Sequence, residues 1–81
     1  MAYYRWALVD TWDEGGLWVV MGRYIDKSRA KAAKKQSLPH REKGHTFSVV
    51  PITNAKVKRY YQVINEARRR AGQPEIDREF G

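Results

Sequence analysis

The sequence predicts an α+β domain of order ββαβα, a small three-stranded antiparallel sheet (order 2-1-3) packed with two helices. Three observations carry this. Two aromatic and branched runs flank the turn Asp13-Glu14-Gly15-Gly16. A single apolar face recurs at helical spacing between Val57 and Ala71. Between them lies a strand–helix–strand crossover, which a right-handed connection closes when the first strand is central.

The first strand is expected over residues 3–10, where Tyr3, Tyr4, Trp6, Leu8 and Val9 suit a pleated surface. Gly15 and Gly16 supply backbone freedom for the turn. The second strand follows over residues 17–25. Apolar side chains fall at even positions (Trp6, Leu8, Trp18, Val20) and at odd ones (Ala7, Val9, Val19, Met21). Either helices cover both faces of the sheet, or one aromatic face is exposed and used.

Asp26 is placed as an N-cap, since its carboxylate accepts an orphan backbone N–H, and a helix over residues 27–37 follows. Leu38-Pro39 ends that helix, because the residue before proline avoids the helical region. A polar loop leads to a third strand over residues 46–52, with Pro51 at an edge or leaving the sheet. Thr53 or Asn54 caps the second helix. Val57, Tyr60, Tyr61, Ile64, Ala67 and Ala71 form one continuous apolar face on it, and Gly72 stops it. Residues 1–72 read as one basic domain and residues 73–81 as a polar C-terminal tail.

The 81 residues allow one domain with a thin margin of stability, and the chain has no cysteine for a disulfide or thiolate metal site. No apolar run approaches the roughly 20 residues of a membrane span, and the apolar stretch before Asp10 is too short for a secretory signal. A cytoplasmic, non-membrane protein is expected.

Net charge is +7, unevenly distributed. Residues 27–70 hold thirteen bases and two acids, whereas the segments before and after each carry a net −2. A basic middle favours an anionic partner. Lys27, Lys31, Lys34 and Lys35 share one face of the first helix by spacing, with Ala30, Ala33 and Ser37 on another. Lys58, Arg59, Arg69 and Arg70 point away from the apolar stripe of the second helix, and Arg41 and Lys43 lie in the loop between. Of these basic side chains, all but Arg59 make up the nine candidate phosphate contacts. Phosphate contact confers affinity without sequence information, so weak or shape-based selectivity is expected for DNA or RNA. The bland alternatives are a solvated lysine face and arginines complementing a helix dipole.

His40, Glu42 and His45 invite a metal reading, but no cysteine pair or zinc spacing accompanies them. Asp10, Asp13 and Glu14 read as a solvated turn. No phosphate-cradling glycine loop or nucleophile elbow occurs, so neither an enzyme nor a cofactor is expected. Trp12, beside the turn, is the candidate exposed aromatic. It anchors the alternative function, a small protein-interaction module or inhibitor that docks its basic face on an acidic protein surface.

Gly22-Arg23-Tyr24-Ile25-Asp26, followed by a helix with Ala30 and Ala33, is similar to the strand-to-helix step of many small sheet-plus-helix domains, DNA-binding integrase arms among them. The chain's size looks like that of small phage-encoded effectors. Neither likeness assigns a role to a residue.

Overall fold

A computed structural model describes residues 3–81. Its elements run β1 (Trp6–Trp12), β2 (Val19–Tyr24), α1 (Lys27–Ser37), a short 3-10 turn (Leu38–His40), β3 (His45–Pro51) and α2 (Ala55–Arg70). The sheet order is β2-β1-β3, with β1 antiparallel to both neighbours. This is the α+β arrangement expected from the sequence. It makes β2 and β3 parallel to one another, with α1 carrying the chain between them across β1.

The strand limits differ from the expected ones for a physical reason. β1 starts at Trp6 rather than Tyr3, because Tyr3 bridges Phe80 and the Tyr4 N–H donates to the Glu79 carbonyl at 2.7 Å. β1 also outlasts its pairing with β2. That pairing ends at Asp10↔Val19, whereas Thr11 and Trp12 pair onward with Thr46 and His45. The β1–β2 connection is therefore a wide loop, in which Gly15 and Gly16 both take positive φ. A register shift opposite Leu8 and Val9 leaves Met21 as the extra residue of a bulge on β2.

Helices cover both faces of the sheet. On one face Ala7 and Val9 of β1 join Ile52, Val57 and Tyr61 in a buried cluster, with Val20, Val50, Ile64 and Ile76 packed against it. This is the α2 side. The pleat sends Leu8 to the opposite face, where Phe47 of β3 and Ala30 of α1 are also buried. Ala30 is fully buried and has only a methyl group, so α1 lies close to all three strands. Gly22 helps on this face too: a Cβ there would sit 2.6 Å from the Tyr24 hydroxyl oxygen.

The two N-caps and the stop of α2 are as their sequences imply, whereas Leu38 does not leave the helical region before Pro39: at φ −54° and ψ −40° it closes α1 and leads into the 3-10 turn. Asp26 Oδ1 accepts from the Arg29 N–H at 2.8 Å and from the Ser28 hydroxyl at 2.8 Å. These two hydrogen bonds hold the Asp26 carboxyl below its usual pKa. Asn54 Oδ1 accepts from the Lys56 N–H at 2.9 Å. At the other end of α2, the Gln73 N–H donates to the Arg68 carbonyl and the Gly72 N–H to the Arg69 carbonyl, with Gly72 at φ 72°. That pair of bonds is the Schellman closure, which requires a left-handed residue where Gly72 stands.

Residues 73–81 do not trail away. Asn65 brackets Ile76, its Nδ2 donating to the Ile76 carbonyl at 2.9 Å and its Oδ1 accepting the Ile76 N–H at 2.7 Å. Arg23 Nη1 donates to the carbonyls of Asp77, Arg78 and Phe80 at 2.6, 3.2 and 3.1 Å. The Arg23 guanidinium sits over the Tyr4 ring at 4.4 Å and near that of Tyr61 at 5.8 Å. Nothing in the polar composition of the segment signals this docking, apart from Ile76 as its apolar anchor.

Candidate nucleic-acid interface

The nine basic candidates are spread over both sides of the sheet. On α1, Lys31 and Lys35 project outward and are exposed. Lys34 is half-buried, and the Lys27 ammonium lies over the Trp6 ring at 5.1 Å. Both flank the buried Ala30, so their stems border the sheet while their charged ends reach solvent. By spacing alone all four lysines share one face. The structure makes that face a slope running from the sheet margin at Lys27 and Lys34 to the crest at Lys31 and Lys35. Among the described residues, none of the four pairs with a carboxylate. Arg29 does, reaching the capping Asp26 at 3.4 Å.

Arg41 and Lys43 lie in the loop that continues from α1, and both are exposed. Arg41 is partly committed, because its Nη1 donates to the His45 carbonyl at 3.1 Å.

On the other side of the sheet, α2 presents Lys58, Arg59, Arg69 and Arg70 to solvent. Two of these are neutralised in part. Arg70 Nη2 meets Glu66 Oε1 at 2.7 Å, and Arg69 Nε meets Glu75 Oε1 at 3.5 Å. Lys58 and Arg69 line one cleft of about 290 Å³ between α2 and the C-terminal segment, together with Gln62, Asn65 and Arg78. A second recess, of about 360 Å³, is bounded by Leu17, Trp18, Lys56 and Arg59. There the Lys56 ammonium stands 5.2 Å over the Trp18 ring. Arg59 belongs to the basic face expected for the second helix, whereas Lys56 and Arg78 are not among the sequence candidates. Lys56 is legible from its neighbours on the helix. Arg78 is not, because its position depends on the return of the C-terminal segment.

The basic candidates therefore do not gather on one surface. α1 and α2 occupy opposite faces, so Lys31 and Lys35 point away from Lys58 and Arg69. The chain order hid this, since a stretch continuous in sequence crosses from one side of the sheet to the other through β3.

Trp12 is 51% exposed at the end of β1 and stacks on the His45 ring, centroids 3.9 Å apart. His45 is buried and its Nδ1–H donates to Asp10 Oδ1 at 2.7 Å. Glu42 Oε2 lies 3.9 Å from its Nε2. The acidic turn and the histidine loop, which look unrelated in sequence, are thus one structure. The Thr46 hydroxyl also donates to Asp13 Oδ1 at 2.8 Å, and the Asp13 N–H to the Gly44 carbonyl at 2.8 Å. Asp10, His40, Glu42, His45 and Phe47 line a recess of about 200 Å³. Among the described residues, no group of three or more His, Cys, Asp or Glu is placed to hold a metal ion. The contacts of His45 are those of a residue that fastens β1 to β3.

Fold and surface together define a small basic α+β domain. Comparison with known proteins finds no family model, no curated protein and no solved structure that the chain matches. No helix among the described residues is long and apolar enough to cross a membrane.

Proposed function

We propose that this chain is a nucleic-acid-binding domain that contacts phosphates and selects weakly, by shape. The observation that supports it most is the uncompensated charge of α1. Lys27, Lys31, Lys34 and Lys35 repel one another at i, i+4 and i+3 spacings, and among the described residues no carboxylate relieves them. A phosphate backbone alongside would relieve that repulsion and release counterions. The four lysines act as point charges, which supports phosphate contact over base-specific readout. The role is binding rather than catalysis, and it fits a cytoplasmic setting.

A salt titration of duplex binding tests this reading. The logarithm of the affinity should fall linearly with the logarithm of salt concentration, by about 0.9 per phosphate neutralised. Exchanging one base sequence for another should change the affinity little. Affinity indifferent to salt overturns the proposal.

A second reading is favoured by Trp12, which offers half of its surface to solvent on a rigid base of His45 and Asp10. An exposed aromatic is a suitable anchor for a protein partner, whose acidic part would have to meet the basic helices rather than the Asp10, Asp13 and Glu42 carboxylates beside Trp12. Under this reading Trp12→Ala loses partner binding while the thermal melting curve stays cooperative. Retained partner binding in the folded variant would remove Trp12 as the anchor.

A further inference from the structure

We propose that one copy of this chain bridges two nucleic-acid duplexes, one held against α1 and the other against α2. The inference rests on the nucleic-acid reading above and adds to it a number of partners and a geometry. Its basis is the separation of the charge into two fields by the sheet. α1 carries five cations, and among the described residues only the capping carboxylate of Asp26 is paired with one of them, Arg29. α2 carries six, Lys56, Lys58, Arg59, Arg68, Arg69 and Arg70, with Glu66 and Glu75 set against Arg70 and Arg69, and Arg68 half-buried with its Nε donating to the Pro74 carbonyl at 2.6 Å. The layer between contributes little. In β1, β2 and β3 the only lysine or arginine is Arg23, and its guanidinium is taken up by the C-terminal carbonyls.

One duplex cannot serve both fields. The molecule measures 36 Å along its longest axis, whereas duplex DNA resists bending over about 150 bp. A duplex lying on one helix therefore runs past the molecule without turning back to the other. The helix on the far side keeps its free cations, and a second duplex that meets them gains by releasing counterions condensed on its own phosphates. A single basic face would coat a duplex. Two opposed faces cross-link a pair.

Two-colour capture tests this with the full chain. One duplex of roughly 20 bp, well below the length over which it bends, is immobilised, and a second carries a dye. The chain should retain the dyed duplex on the immobilised one. Lys31→Glu with Lys35→Glu alters only exposed positions of α1, and Lys58→Glu with Arg59→Glu only exposed positions of α2. Each pair should leave one duplex bound, with the salt slope of the unaltered face. Each should also weaken capture of the second duplex by about ten-fold or more.

Bridging is overturned if the unaltered chain binds the immobilised duplex and leaves the dyed one in solution. It is equally overturned if one double variant abolishes all binding while the other changes nothing, since the chain then has a single working face. Capture that appears only at concentrations where the free chain sediments as a dimer also overturns it. Failure to bind any duplex is a different result, because it removes the nucleic-acid reading itself.

Discussion

Arg23 shows how far a residue's role can lie from what its charge suggests. It belongs to a strongly basic chain, yet its guanidinium is stacked on Tyr4 and spent on three carbonyls of the C-terminal segment. Arginine suits this use because its planar fork serves several acceptors at once. Arg23→Met keeps the stem and removes the donors. It should lower stability by about 1–2 kcal/mol, a charged hydrogen-bond contribution discounted for partial exposure. The loss should be local: hydrogen exchange should show the Tyr4 amide exposed while the Val9 amide in β1 stays protected. Uniform loss of protection would place Arg23 in the global core instead. His45 belongs to the same class. Its residue type suggested a ligand, and its partners Asp10 and Trp12 make it a fastener.

Among the elements, α1 depends most on its cap. Its buried face is narrow, with Ala30 the one buried residue, and its lysines oppose each other. The Asp26 carboxylate, held below its ordinary pKa of 3.8 by the Arg29 N–H and the Ser28 hydroxyl, therefore matters to it. A depressed folded-state value gives stabilisation that is present above the unfolded-state value and lost as pH falls through the folded one. Helicity of α1 should accordingly weaken as pH drops below about 4. Asp26→Asn caps nearly as well and does not titrate, so it should flatten that part of the acid titration followed by circular dichroism. An unchanged acid limb in Asp26→Asn would assign the effect elsewhere. The helix limits themselves were legible in sequence because capping is local. Asp26, Asn54 and Gly72 each act on backbone groups within a few residues. The strand limits were less so. β1 gives up Tyr3 to Phe80 and gains Trp12 through β3, and both exchanges involve residues more than thirty positions away.

For the whole molecule, the closing contact is between the two ends of the chain. Ile76 lies against the α2-side core, Asn65 brackets its backbone, and Glu79 accepts from Tyr4. Deleting residues 73–81 should therefore cost about 3 kcal/mol or more, from the exposed Ile76 contact surface and the orphaned Asn65 and Arg23 groups. A thermal melt of the truncated chain checks this, and an unchanged midpoint would show the segment to be dispensable. In a domain this small such a loss takes a large share of the total stability.

Periodicity and capping were enough to derive the ββαβα order and the starts of both helices, because each follows from chemistry within a few neighbouring residues or from the alternation of apolar positions, and the handedness of the crossover added the sheet order. Alternation also raised the question of two covered faces, since apolar residues at both odd and even positions of β1 need partners on both sides. The distribution of charge in space was another matter. Lys31 and Lys58 belong to one basic stretch of chain, but the crossover through β3 sends them to opposite faces. Charge carries no signal of which side of a sheet it will occupy; that is settled by where Ala30 and Val57 find their burial.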